Sequence, residues 1–342
     1  MTLTIARVIA LLALTLPVTA IALPFSNIYV LGDSLSDQGN LFAATTAAAG
    51  PASALPAADH YFNGRFSNGP VYTDIVAAQL GLTLRPSILG GTNFAYGGAR
   101  TTYNTVESTV GGPFPPGLFP WSLNAEVVAF NARNIRDPAG LYLVFSGAND
   151  VADILARGLN PNLVIPGAVG GIVRAVQAFA NAGARTVVVP NIPDLGLTPL
   201  FLSRGATVSG AATALSMQFN SLLDAQLALI SGLNIIEIDT FSIIRNMAAD
   251  PGKFGLTNVT QPCYSGFVAP NPAGTECSNP NEFLFWDSVH PTSAVQAVLA
   301  TRVLAAIPEP ATWLLFLLGL PMLTVRTKSA SPHYARPRAE LE

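Results

Sequence analysis

Short apolar runs of about five residues, nearly free of charge and spaced by longer segments of helical period, constrain this chain more than any other feature. They lie at residues 27–31, 92–95, 141–146, 186–190 and 234–239, and only the last contains acidic residues. A strand wetted on one face alternates apolar and polar side chains. Runs without that alternation suit strands covered on both faces, as in a parallel sheet between helices. Helical patterns occupy residues 71–80, 124–131, 166–182, 210–231 and 293–305. Strands alternating with helices predict an α/β sheet with right-handed crossovers. Ligands of such sheets bind beyond the carboxyl ends of the strands. Ser34 follows the first run, Gly98 the second and Asn149 the third, while His290 precedes the last helix.

The chain has 342 residues, of which 50% are apolar and 11% charged, so it can bury a large core. A net charge of −3 without a dense basic run argues against nucleic acid as a partner. There is no internal repeat and no heptad pattern, and residues 23–306 read as one domain. Residues 1–22 read as a secretory signal, with Arg7 before a short apolar stretch and Ala20-Ile21-Ala22 as a small-x-small cleavage site. Export permits a disulfide between the only two cysteines, Cys263 and Cys277, which flank a loop rich in Pro, Asn and Gly. No histidine or third cysteine stands beside them to suggest a metal site.

The last segment, residues 307–342, changes character. Pro308-Glu309-Pro310 precedes an apolar run from Ala311 to Val325, closed by Arg326 and Lys328. About 15 helical residues reach only ~22 Å, and Pro321 interrupts them, so the run is marginal as a membrane span.

The chemistry concentrates in a few short stretches. A serine hydroxyl becomes a nucleophile only with a base in reach and donors aimed at the developing oxyanion. Gly32-Asp33-Ser34-Leu35 places Ser34 at a strand-to-helix turn, where its N–H can face substrate near a helix N-terminus. Only three histidines exist. His333 lies beyond the apolar tail and His60 in an Ala/Pro-rich loop. His290 follows Asp287 by three positions, a spacing at which a carboxylate can fix an imidazole tautomer. Gly97-Gly98 and Gly147-Ala148-Asn149-Asp150 follow strands and offer backbone and side-chain amides for an oxyanion. Each stretch alone also fits an ordinary role: a helix cap for Ser34, a loop carboxylate for Asp287, a surface imidazole for His290, turns for the others.

Taken as an ordered set, they resemble the GDSL, or SGNH, hydrolase family, closest to its plant-lipase-like branch. The blocks are Gly32-Asp33-Ser34-Leu35-Ser36-Asp37-Gln38-Gly39-Asn40, Asn93-Phe94-Ala95-Tyr96-Gly97-Gly98-Ala99, Gly147-Ala148-Asn149-Asp150 and Asp287-Ser288-Val289-His290-Pro291. Residues 63–69, 189–196 and Phe285-Trp286 match the branch as well. The resemblance implies a three-layer α/β/α, flavodoxin-like domain with neither metal nor organic cofactor. It implies Ser34 as nucleophile, His290 as base then acid, and Asp287 as the group that orients His290. The oxyanion hole would comprise the N–H groups of Ser34 and Gly98 and the side chain of Asn149, with Gly98 chosen over Gly97 by aligning Asn93. Asp33 and Asp37 would shape the nucleophile loop. The tail resembles the PEP-CTERM sorting signal of Gram-negative bacteria, which implies an exosortase-type processing enzyme as partner and transient membrane association. Residues 329–342 depart from that pattern by extending past the basic stop.

The expected activity is hydrolysis of a small-molecule or lipid carboxylic ester. The same residues would also serve an O-deacetylase or acyltransferase acting on exported polysaccharide. A surface-binding module without catalysis is the other class of reading. The apolar loops at residues 41–60 and 103–121 are candidates to line a lipid pocket.

Overall fold

The computed structural model describes residues 25–102, 122–267 and 274–307, together with a two-residue ladder pairing Glu107–Ser108 with Gly112–Pro113. Residues 1–22, expected to be a secretory signal, the segment beyond Ile307 and most of residues 103–121 lie outside the described residues. Residues Phe25–Ile307 form one compact unit.

Four parallel strands make the central sheet. In chain order they are β1 (Ile28–Gly32), β2 (Leu141–Phe145), β3 (Thr186–Pro190) and β4 (Asn234–Ile238). The strands lie in that order across the sheet. Side chains of a strand alternate between faces, and here both faces are covered. Tyr29, Leu31, Tyr142, Val144, Val187 and Val189 pack on one side. Their partners are helices α3 (Leu123–Ala132), α4 (Ala148–Arg157), α5 (Pro161–Asn181) and α6 (Ala206–Leu227). Ile28, Val30, Leu141, Leu143 and Val188 pack on the other side, against α2 (Tyr72–Gln79) and α8 (Ser293–Ala306). The result is the three-layer α/β/α arrangement expected from uncharged strands.

Residues 92–95 do not form a strand. They contribute isolated parallel bridges, Val30 with Asn93 and Pro86 with Asn93, on the free edge of β1. Three hydrogen bonds run along this edge, Val30 N–H to Thr92 O, Phe94 N–H to Val30 O and, just past the segment, Tyr96 N–H to Gly32 O. The flavodoxin-like order is kept, with its second strand reduced to one bridge. The ladder stops because the next donor of β1, the Gly32 N–H, goes to the Glu126 carboxylate at 2.8 Å, while the Asn93 side chain ties the segment to the neighbouring loop by donating to Ser36 O at 2.7 Å.

Three ten-residue helices stand where no helical pattern was evident, α1 (Asn40–Ala49), α4 and α7 (Thr240–Ala249), and so does the short helix Pro199–Leu202. Asp37 caps the first, its carboxylate accepting from the N–H groups of Gly39, Asn40 and Leu41. The helix expected to begin at Pro166 begins at Pro161, where the Asn160 side chain accepts from Asn162 N–H and proline fills the first position. A small parallel pair, β5 (Asn258–Pro262) and β6 (Phe283–Phe285), leads into the segment that carries Asp287 and His290.

Candidate active site

The loop after β1 brings Ser34 to the carboxyl end of the sheet. Ser34 lies in a turn, and α1 begins six residues later, so this serine is not itself at a helix N-terminus. The Asp33 N–H donates to Phe145 O, and the N–H groups of Ser36 and Asp37 both return to Asp33 O. These bonds consume the neighbouring amides. The Ser34 N–H makes no hydrogen bond among the described residues and is left to face the pocket.

The three residues singled out for chemistry converge. Ser34 Oγ lies 2.9 Å from His290 Nε2, across 256 positions of sequence. His290 Nδ1 lies 2.7 Å from Asp287 Oδ2. The other oxygen, Oδ1, accepts from the N–H groups of Val289 and His290 at 2.9 and 2.7 Å. Burial pushes the Asp287 carboxyl up, but the His290 imidazole and the hydrogen bonds from His290 and Tyr61 outweigh it and hold the group below its ordinary value. An ionised Asp287 fixes Nδ1 as a donor, which leaves Nε2 as the acceptor for the serine O–H. Phe66 and Phe267 flank the imidazole, with ring centroids 5.1 and 6.1 Å away.

The groups expected to receive an oxyanion come from separate segments of the chain. Gly97 N–H donates to Asp37 Oδ2 at 2.8 Å and is therefore spent. Gly98 N–H makes no hydrogen bond among the described residues and lines the pocket, in keeping with the assignment of Gly98 rather than Gly97. A Cβ at position 97 would come within 2.1 Å of the Phe66 ring, and Gly98 adopts a left-handed φ of 75°, so both positions call for glycine. Asn149 opens α4, and its Nδ2 spends one hydrogen on Ala99 O at 3.0 Å, leaving the second free to turn toward the pocket. Arg100, fully buried, makes a bidentate pair with Asp153 of α4 and donates to Gly98 O at 2.7 Å. One helix thus holds both the Gly98 loop and Asn149.

The flanking acids act as scaffolding. Asp33 is pushed up to about 7, chiefly by burial. Asp37 is as deeply buried but rises only to about 6, because four backbone N–H groups donate to it. Asp150 also rises to about 7 by burial and accepts from Thr101 N–H and Oγ. Glu126 was not anticipated. It projects from α3 into the core, accepts from Gly32 N–H at 2.8 Å and Tyr96 N–H at 3.3 Å, and burial raises it well above the ordinary carboxyl range. A glutamate in the first turn of a helix ordinarily reads as a surface residue, so nothing in the sequence marked it. Tyr61 was missed for the same kind of reason.

His60 stays apart from this cluster. It pairs with Glu276 at 2.7 Å and stacks on Tyr264 at 4.2 Å. Cys263 and Cys277 are bonded to one another. The 41–60 loop does not line the pocket. The lining comes from Leu35, Phe66, Phe145 and Ala152, from residues 193–201, from Ile243 and Ile244 of α7, and from Phe267, Phe285, Val295 and Leu299. The pocket is predominantly apolar and encloses about 1150 Å³ including its open mouth. Among the described residues, no group of three or more His, Cys, Asp or Glu side chains is arranged to hold a metal ion.

A family model described as GDSL-like Lipase/Acylhydrolase matches residues 28–303. The chain is 29% identical to a phosphatidylcholine-sterol acyltransferase of Aeromonas hydrophila, over 85% of this chain and 93% of that protein. It is 31% identical to the esterase EstA of Pseudomonas aeruginosa, over 86% of this chain but only 48% of that longer protein. A GDSL esterase/lipase of Arabidopsis thaliana is 29% identical, over 82% of this chain and 85% of its own.

Proposed function

The chain belongs to the GDSL-like lipase/acylhydrolase family and is a serine ester hydrolase, and we propose that Ser34, His290 and Asp287 carry its chemistry through an acyl-enzyme. Ser34 Oγ attacks the ester carbonyl while His290 Nε2 takes its proton. The carbonyl oxygen gathers negative charge and receives the N–H groups of Ser34 and Gly98 and the Asn149 amide. Collapse expels the alcohol, which leaves with the proton held by His290. Water then attacks the acyl-enzyme by the same route. The observation that carries this reading is the continuous chain of contacts from Ser34 through His290 to Asp287 at the mouth of an apolar pocket.

The pocket supports an acyl group with a hydrocarbon chain as substrate. A fluorophosphonate probe should label the folded protein and not its Ser34→Ala variant. An ester panel from acetyl to long acyl, with an acetylated polysaccharide included, should favour the longer chains. Labelling of the variant would remove Ser34 from the nucleophile role, and strict preference for acetyl would favour the deacetylase reading.

Acyl transfer to an alcohol other than water is a second reading. Its support is the seclusion of the reacting groups, with Ser34 7% and His290 5% exposed, since excluding water favours a competing acceptor. Ester formation with an added long-chain alcohol or an exported polysaccharide tests it. Within the family, affinity with the plant-lipase-like branch is supported by the 63–69 and 189–196 stretches and by the Arabidopsis relative.

The location proposed is outside the cytoplasm of a Gram-negative cell, supported by the leader at residues 1–22 and the Pro308-Glu309-Pro310 tail. The tail would anchor the chain transiently until an exosortase-type enzyme processes it. Mass spectrometry of the mature protein decides this, and a freely secreted chain that still ends at Glu342 would sink the sorting reading.

A further inference from the structure

A glycine has no side chain to restrain its backbone, so its amide rests where neighbouring hydrogen bonds put it. The peptide plane that carries the Gly98 N–H lies between two planes that are anchored. Before it, the Gly97 N–H donates to Asp37 Oδ2 at 2.8 Å. After it, the Ala99 N–H donates to Tyr96 O at 3.1 Å, and Gly98 O accepts from Arg100 Nη1 at 2.7 Å. The bond from Arg100 is the only hydrogen bond that Gly98 makes among the described residues.

Arg100 is held in turn. Its Nε and Nη2 meet the two oxygens of Asp153 at 2.9 and 2.8 Å, and both side chains are fully buried. Two parallel bonds of this kind fix a guanidinium in plane and direction. Asp153 follows Asn149 by about one turn of α4, so the two residues share a face of that helix. Asn149 Nδ2 donates to Ala99 O at 3.0 Å. The loop is thus tied to one helix face at neighbouring points, through Arg100 and through Asn149. A buried ion pair is often no more stabilising than apolar residues of the same size. What only the pair supplies is the directed bond to Gly98 O.

We propose that Arg100 and Asp153 are positioning residues for the reaction, setting the Gly98 N–H and the Asn149 amide at the spacing that a single oxygen on the ester carbon requires. Neither side chain lines the pocket. The proposal rests on the reading of Ser34 as nucleophile with Gly98 and Asn149 as oxyanion donors. Donors displaced by about 1 Å still admit the ester but no longer match the charge that forms as Ser34 attacks, so the loss falls on kcat.

The test replaces the pair by apolar side chains, Arg100→Met together with Asp153→Leu. Arg157, which also reaches Asp153 at 3.7 Å, is partly exposed and stays solvated. The double variant should keep its circular dichroism and close to its Tm, and should lose roughly 10²-fold in kcat with KM nearly unchanged. Arg100→Lys keeps the charge without the fork and should show the same kind of loss, which serves also if the double variant does not fold. Adding Asn149→Ala to either should cost far less than the product of the separate losses, because both changes act on the same donors. Wild-type kcat in a folded variant, a loss confined to KM, or losses that multiply with that of Asn149→Ala would each overturn the proposal. An Asn149→Ala variant with unchanged kcat would count instead against the oxyanion reading on which it rests.

Discussion

Tyr61 donates its phenolic O–H to Asp287 Oδ2 at 2.5 Å, the same oxygen that meets His290 Nδ1. The tyrosine is itself buried and packs edge-on against Tyr264 and Trp286. A donor to the charged form of a carboxyl holds its pKa down. Tyr61→Phe keeps the ring and removes the donor. The variant should lose about three- to tenfold in kcat, and its acid limb should move up by about one pH unit as Asp287 protonates more readily. A pH profile of kcat/KM checks this, and an unmoved acid limb would reduce Tyr61 to a packing residue.

Ser34→Ala and His290→Ala should each lower kcat by on the order of 10⁴-fold or more with folding unchanged, because the covalent route is lost. His60→Ala should cost little activity, since that imidazole contacts Asp59, Glu276 and Tyr264 rather than Ser34. Steady-state kinetics with circular dichroism decides the matter. A dead His60 variant beside an active His290 variant would reverse the assignment.

Asn149→Ala removes one donor from the site where the oxyanion forms and should cost roughly 10²–10³-fold in kcat. KM should hardly move, because that donor matters most once charge develops. A change confined to KM would make Asn149 a contact for bound substrate instead.

Asp33 and Asp150 titrate at about 7 in the folded chain, with burial as the main cause. Unfolded aspartates ionise near about 3.9. Between those values the native state keeps protons that the unfolded state has released, so stability falls as pH rises and levels off above about 7. Asp287 works in the opposite sense, because its lowered value lends stability that is lost only on acidification through that value. Tm should therefore decline from about pH 5 to about pH 8, and Asp150→Asn should flatten the decline. Calorimetry across that range checks it, and a Tm that climbed toward pH 8 would contradict it.

Fourteen positions separate Cys263 from Cys277, and the loop they close carries Phe267 against the His290 ring. Thiol titration of the denatured, unreduced protein should find no free thiol. Replacing both cysteines by serine should cost up to about 3 kcal/mol by the loop-entropy estimate for about 15 residues. It should also weaken discrimination among acyl chains, because Phe267 lines the pocket. Two reactive thiols would remove the bridge.

The sheet was legible because β1, β2 and β3 are covered on both faces and carry no charge; the edge strand β4 is more exposed and holds Glu237. The segment at 92–95 misled for a physical reason: its apolar look is real, but the Gly32 N–H that would extend its pairing with β1 is taken by Glu126, a partner far along the chain. Helix α1 was hidden because its cap lies in the side chain of Asp37, within a stretch already assigned to the nucleophile loop. Helix α4 was hidden because Gly147-Ala148-Asn149-Asp150 reads as a turn, although the turn simply continues into a helix. Ser34, Asp287 and His290 were legible from chemistry and order together. Tyr61 and Glu126 were not, since their roles depend on partners far along the chain. The pocket walls come largely from residues 193–201 and α7, a placement that only the folded chain reveals.

Ser34 lies at the start of the domain and His290 near its end, and the intervening chain is held closed by small contacts. Ser67 Oγ donates to Pro291 O, and Asn68 Oδ1 accepts from the N–H of Ser293. On the roles proposed above, a chain under synthesis would carry its serine long before its base. With Ser34 and His290 as the reacting pair, competence would require both ends of the domain to be in place at once.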